Sequence, residues 1–330
     1  MRTTSKRARA AIAVLLALFL SLGVAACGSD DDDDPATGSG AEGGGGAIVS
    51  NPDNSKVTLT VGSKNFTEQI VLGEVYAQAL EAAGYKVKKD LNLGSETVAL
   101  KNVKAGQISG YPEYVSTALT SFFEVEPEEV PADATEAYEE AKADFEEEDL
   151  TAFPPTPFAS ANAVGTLKRT AEERDLKTVS DLDGQSEEMT LYGSPECRQR
   201  IDCLAGLEKL YGLKLRKFVS VDIGLRYTVL DKGQADLSIL FTTDPQLSAQ
   251  ADKYVILEDD EEVFPAGNVI WVTTPEVVEE AGPDYEKTIV QVQEGLTLKV
   301  VQELGARVEL EKEPAAKVAA EYLESAGYTR

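Results

Sequence analysis

Not one of the 330 residues is a histidine. That absence removes the imidazole that most often serves as general base beside a nucleophile and as nitrogen ligand to zinc. No GxSxG elbow is present, and the acid-rich stretches have no spacing that suggests a glycosidase carboxylate pair. A GxxxxGK[ST] phosphate loop is also missing, so any ATP hydrolysis belongs to another chain. Positive charge is scarce: 31 lysines and arginines face 58 acids, a formal charge of −27, which argues against nucleic acid and anionic membrane surfaces as partners. Beyond the N-terminal region no run is long and apolar enough to span a bilayer. A non-enzymatic protein without metal or cofactor is the expectation.

Cysteine is rare, with three in the chain. Arg2, Lys6, Arg7 and Arg9 precede an apolar run, Ala11 to Leu22, which ends in Val24-Ala25-Ala26-Cys27. This reads as an address, residues 1–26, followed by a stretch that resembles a bacterial lipobox with Cys27 as the lipidated residue. A secretory signal cleaved near Ala26 is the plainer alternative. Residues 27–56, with five consecutive aspartates and a glycine run, cannot bury a core and read as a tether. Cys197 and Cys203 remain as a pair in "ECRQRIDC", for which a disulfide is the natural reading in an oxidising compartment.

The remaining residues suffice for one or two domains. The acids of Glu124 to Asp149 read as the solvated face of a helix whose buried face is Ala134, Tyr138, Ala141 and Phe145. The chain alternates strand and helix patterns, which suggests α/β lobes. Strands are expected at Lys56–Val61, Tyr85–Leu91, Ile108–Tyr111, Ala161–Leu167, Glu188–Tyr192, Lys217–Val221 and Ala235–Phe241. Helices are expected from Thr67, as cap, to Gly84, with Ile70, Gly73, Ala77, Leu80 and Ala83 inward. Others cover Thr97–Ala105, Glu113–Phe123 capped by Ser116 or Thr117, Ile201–Tyr211, and the C-terminal stretches. Pro-rich extended segments near 153–160 and 255–268 enclose a middle block. The geometry expected is one lobe from 57–157 and 266–330, a second from 158–265, and a ligand cleft at the carboxyl ends of the strands between them. Lys64 and Asn65 would then sit between a strand and a helix N-terminus, a place suited to an anion.

The stretches "VTLTVGSKNFTEQIVLGEVYAQALEAAGYKV", "GYPEYVSTAL", "CRQRIDCLAGLEKLYG", "FTTD" and "LEDDEEVFPAGN" resemble, in order from Val57 onward, extracytoplasmic substrate-binding proteins of osmoprotectant ABC transporters. The resemblance implies a type II periplasmic-binding fold and a small zwitterionic solute such as glycine betaine, choline or carnitine. It also implies a separate permease and ATPase, and a location on the outer face of the cytoplasmic membrane, held by the lipid anchor only. Family site residues map onto Lys64, Thr117 and Arg200 as an anion clamp, and onto Tyr114 and Phe241 as cage aromatics that hold a quaternary ammonium by cation–π attraction. Two further cage positions fall on Asn162 and Gly267, and an acidic position falls on Ser160. Half of the aromatic cage is therefore missing by this mapping. Asn162 and Asn268 add hydrogen-bonding capacity that suits a different polar solute, and Tyr111, Tyr227 or Trp271 are the neighbouring aromatics that could substitute. An exposed lysine at 64 and a surface ion pair at Arg200 remain the plain alternatives, as does a sensory or structural lipoprotein that no longer transports.

Overall fold

The computed structural model describes residues 46–330. The address segment, Cys27 and the Asp-rich part of the tether lie outside the described residues. The packed body begins before Val57. Ile48 donates its N–H to the Tyr328 carbonyl at 2.9 Å. Pro52–Lys56 forms a 3-10 turn, and Asn51 and Asn54 both donate to the Asp284 carboxylate. These polar anchors hold a segment that composition alone assigns to the tether.

In chain order the body runs β1 (Thr58–Gly62), α1 (Thr67–Ala82), β2 (Lys86–Asp90), α2 (Glu96–Lys104), β3 (Gly110–Tyr114), α3 (Val115–Thr117), α4 (Ala134–Glu147), β4 (Thr151–Phe153) and β5 (Ala159–Ser160). Then come β6 (Asn162–Leu167), α5 (Lys168–Arg174), β7 (Thr190–Gly193), α6 (Leu204–Lys209), β8 (Lys217–Ser220), α7 (Arg226–Asp231), β9 (Leu237–Phe241), α8 (Pro245–Ala249) and β10 (Tyr254–Ile256). The chain returns through β11 (Gly267–Thr273), α9 (Pro275–Ala281), α10 (Pro283–Gln293), α11 (Leu298–Glu309) and α12 (Ala315–Ser325).

Two mixed sheets result. The first has the order β2-β1-β3-β11-β4 and the second β10-β6-β9-β7-β8. β11 is antiparallel to β3, which brings the returning chain into the first sheet. β5 pairs with the start of β11, Ser160 opposite Gly267, so the two crossings run side by side. This is the two-lobed α/β architecture of the type II binding proteins.

α1 lies under α10, α11 and α12 as well as on the sheet, and it is buried on most of its circumference. Val75, Tyr76, Ala79 and Leu80 are inaccessible, whereas Ile70 is only partly covered. The inward face thus differs from the single stripe expected, because a helix sandwiched between two layers needs no polar side. Its N-cap is Phe66, with no side-chain cap, and Thr67 is the first helical residue.

The strand expected at Ile108–Tyr111 sits further along, at β3. Glu113 and Tyr114 therefore belong to the strand, and Ser116 and Thr117 lie inside α3 and cap nothing. The continuous ladder of β3 with β11, from Gly110 opposite Thr273 to Tyr114 opposite Val269, outweighs the helical pattern of these residues. Gly110 is needed there because a Cβ would meet the Trp271 indole at 2.5 Å. In α4 Tyr138, Ala141 and Phe145 are buried as expected, but the fourth buried residue is Ala137, while Ala134 is exposed. The helix expected over Ile201–Tyr211 contracts to α6. The Cys197–Cys203 disulfide, with Cα atoms 5.1 Å apart, holds the preceding residues in turns.

Candidate functional site

The carboxyl ends of β1, β3, β7 and β9 converge on one cavity, lined by residues from both sheets. Its volume is about 80 Å³. One water needs roughly 10–15 Å³ on that measure, so the cavity is of small-solute size. Lys64, Asn65, Tyr114, Thr117, Ser160, Asn162, Arg200 and Phe241 all line it. Residues from five separated chain segments thus meet as the sequence mapping expects.

The cations of the site are already partnered. Lys64 is buried, and its ammonium pairs with the carboxylate of Glu113, which is wholly inaccessible. The same ammonium lies 4.5 Å from the Tyr114 ring centroid. Arg200 forks onto Asp202, with Nε to Oδ1 at 2.7 Å. It also approaches Glu96 at 3.4 Å and donates to the Thr117 hydroxyl at 3.5 Å. Burial works against this guanidinium's charge, but Asp202 and Glu96 outweigh it and hold its pKa above the ordinary value. Arg226, which the sequence reading did not single out, lines the same cavity and forks onto Asp244, with Glu309 at 3.5 Å.

Several of these contacts join the two sheet systems. Arg200 follows β7, whereas Glu96 belongs to α2 and Thr117 to α3. Arg226 of α7 reaches Glu309 of α11, whose other oxygen accepts from Gln246 at 2.7 Å. Ser160 bonds Thr243 at 3.0 Å, Oγ to Oγ1. The Tyr114 hydroxyl donates to Glu68 at 2.5 Å. Burial raises the Glu68 pKa, against the pull of hydrogen bonds from Thr243 and Tyr114. Burial and the neighbouring Glu68 push the Tyr114 phenol well above its usual value.

The aromatic lining differs from the sequence mapping. Phe66 and Phe264 line the cavity together with Tyr114 and Phe241. Phe66 stacks on Tyr114, centroids 6.3 Å apart and planes within 16°, and lies 5.1 Å from the Phe241 ring. Tyr111, Tyr227 and Trp271 are core residues instead. Tyr111 is fully buried, Tyr227 donates to Asp244, and Trp271 donates to the Tyr285 hydroxyl. Gly267 cannot hold a side chain, since a Cβ there would meet the Ser116 Oγ and N at 2.4 and 2.5 Å. Asn268 does not line the cavity, and its amide donates to the Thr156 carbonyl. Asn162 does line it, but its amide nitrogen is committed to the Asp202 carbonyl at 3.2 Å. Phe66 carried a signal that the mapping passed over: it stands two residues after Lys64, in the same short segment between the strand and the helix N-terminus. Arg226 offered none beyond its distant partner Asp244.

Residues 57–325 match the family model described as the substrate-binding domain of the ABC-type glycine betaine transport system. The chain belongs to that family. It is 31% identical to a glycine-betaine-binding protein of Pseudomonas aeruginosa, over 81% of this chain and 87% of the relative. It is 28% identical to the glycine betaine-binding protein YehZ of Escherichia coli, over 86% and 95% of the two chains. A solved structure described as a glycine betaine/carnitine/choline ABC transporter superposes with a TM-score of 0.63 at 25% identity, covering 81% of this chain and 97% of the other. Members of the family are extracytoplasmic solute-binding components that work with permease and ATPase components, not enzymes. Among the described residues no helix is long and apolar enough to cross a membrane.

Proposed function

We propose that this osmoprotectant-family receptor is lipid-anchored through Cys27, and that it binds a small quaternary ammonium solute and hands it to its permease. The lobes, 57–157 with 266–330 and 158–265, close on the solute by hinge motion at the paired crossings. Phe66, Tyr114, Phe241 and Phe264 form the aromatic cage. Arg200 and Thr117, with Lys64 behind Tyr114, provide the polar end. The observation that carries this reading is that four aromatic residues line a solute-sized cavity at the strand ends. A quaternary ammonium has no N–H to donate, so aromatic faces are the groups that hold it, most strongly when desolvated.

The charge balance favours a second reading of the ligand's other end. Lys64, Arg200 and Arg226 face Glu113, Asp202, Glu96, Asp244 and Glu309, three cations against five carboxylates. A ligand carboxylate must compete with Asp202 and Glu96 for Arg200, whereas a cation with a hydroxyl tail need not. Choline is therefore the counterpart to glycine betaine in the test. A thermal-unfolding panel on the purified full chain separates the readings, because a ligand that binds only the folded state raises the midpoint with its concentration. A shift with glycine betaine or carnitine supports the zwitterion, and a shift with choline alone supports the cation. Shifts confined to solutes without methylated nitrogen overturn both.

A further inference from the structure

We propose that Phe66 is the specificity-determining aromatic of the cavity, the ring face against which the quaternary ammonium of the ligand sits. The inference rests on the quaternary-ammonium reading above and assigns the discrimination to one residue. Three rings form a continuous wall. Phe66 is central, 6.3 Å from Tyr114 and 5.1 Å from Phe241. The flanking rings each carry a cation of the protein itself. The Lys64 ammonium lies 4.5 Å from the Tyr114 centroid, and the Arg226 guanidinium lies 5.0 Å from the Phe241 centroid. At Phe66 the nearest such cation, Lys64, is 5.8 Å away, at the margin of about 6 Å within which the attraction is felt. Phe66 is also incompletely buried, and its ring lines the cavity. Of the three rings it therefore retains the greatest capacity to attract an added cation, and the fourth lining aromatic, Phe264, is buried in the core packed on the second sheet.

The backbone explains why this residue takes the part. The close approach of Gly267 to Ser116 leaves no room for a side chain at 267. Asn162 is the first residue of β6, opposite Phe241, with its amide tied to Asp202. Phe66 is fixed as the N-cap residue of α1 in extended conformation. It belongs to the first sheet's side yet packs on Phe241 of β9, so its contact with ligand forms together with closure.

The test compares choline with its neutral carbon isostere, in which a tert-butyl group replaces the trimethylammonium, and likewise glycine betaine with the corresponding isostere. Both members of a pair bury the same apolar shape, so their affinity ratio isolates the cationic part. Calorimetric titration is done on the full chain, unsubstituted and as Phe66→Leu and Phe66→Tyr. The unsubstituted chain prefers the cationic member. Phe66→Leu lowers that preference about tenfold, the size of one partly desolvated cation–π contact, and Phe66→Tyr keeps it. A merely structural role would weaken both members alike and leave the ratio unchanged, which overturns the inference, as does a Phe66→Leu chain that keeps the preference. If Phe66→Leu fails to fold, Phe66→Met is read in its place by the same ratio. Absence of binding by the unsubstituted chain to every quaternary ligand overturns the ligand reading and the inference together.

Discussion

Replacing Glu113 by glutamine keeps volume and an acceptor oxygen for the Tyr114 N–H, which donates to Glu113 at 2.7 Å. It removes only the charge opposite Lys64. The two side chains are 5% and 0% accessible, so solvent does not screen the remaining ammonium. Breaking a buried pair from one side costs about 3–5 kcal/mol, whereas removing both charges is often close to neutral. Glu113→Gln and Lys64→Met should therefore each lower stability by about 3–5 kcal/mol, a large part of the ~5–15 kcal/mol that holds a typical protein folded. The double variant should lose far less than their sum, giving a coupling of at least about 2 kcal/mol. Urea unfolding followed by far-ultraviolet circular dichroism reads this as a shift of midpoint at unchanged slope. Single losses below about 1 kcal/mol that simply add in the double variant would refute the claim that Lys64 is first a partner of Glu113 and only second a ligand group.

Three further outcomes follow from the same geometry. Gly267→Ala drives a Cβ against the Ser116 backbone nitrogen and should cost about 1–3 kcal/mol, read as a lowered thermal midpoint; an unchanged midpoint would mean the crossing yields freely. Opening the Cys197–Cys203 bridge, which closes a short loop beside the cavity, should cost about 2 kcal/mol and weaken solute binding; a mass gain of about two hydrogens on reduction with neither effect would contradict that role. Glu68 has a raised folded-state pKa, so its contribution is fully present below the unfolded value and is lost as pH rises through the folded one. Glu68→Gln should flatten the stability profile over that window and gain relative stability at neutral pH, which unfolding curves across pH 4 to 8 would show or deny.

Much of this was legible in the sequence, for reasons that particular residues make plain. The loop Lys64-Asn65 follows an alternating strand and precedes a helix, so its place at the cleft was legible from position, whereas Tyr114, Thr117, Arg200 and Phe241 were legible only through the family resemblance, the strand before Tyr114 having been expected to end at Tyr111. The disulfide was legible from the pairing of two cysteines. What the sequence did not carry was partnership at a distance. Nothing near Lys64 announces Glu113, and nothing near Arg226 announces Asp244 or Glu309. The apparent loss at Gly267 was likewise a matter of backbone proximity to Ser116, visible only once β11 and α3 are brought together. Helix α1 misled in a different way, since burial from two sides erases the stripe on which an inward-face assignment depends.

The most direct test of the account is a calorimetric titration of the full chain with glycine betaine and its stepwise demethylated relatives, dimethylglycine, sarcosine and glycine, with choline alongside. Each methyl lost exposes an N–H that must be desolvated without a partner against aromatic walls, a penalty of about 1–3 kcal/mol for an unpaired polar group. The account predicts affinity that falls at every step from the trimethylated ligand and is absent for glycine. Equal measurable affinity across the series, tightest binding to the unmethylated member, or no binding of either glycine betaine or choline would contradict it.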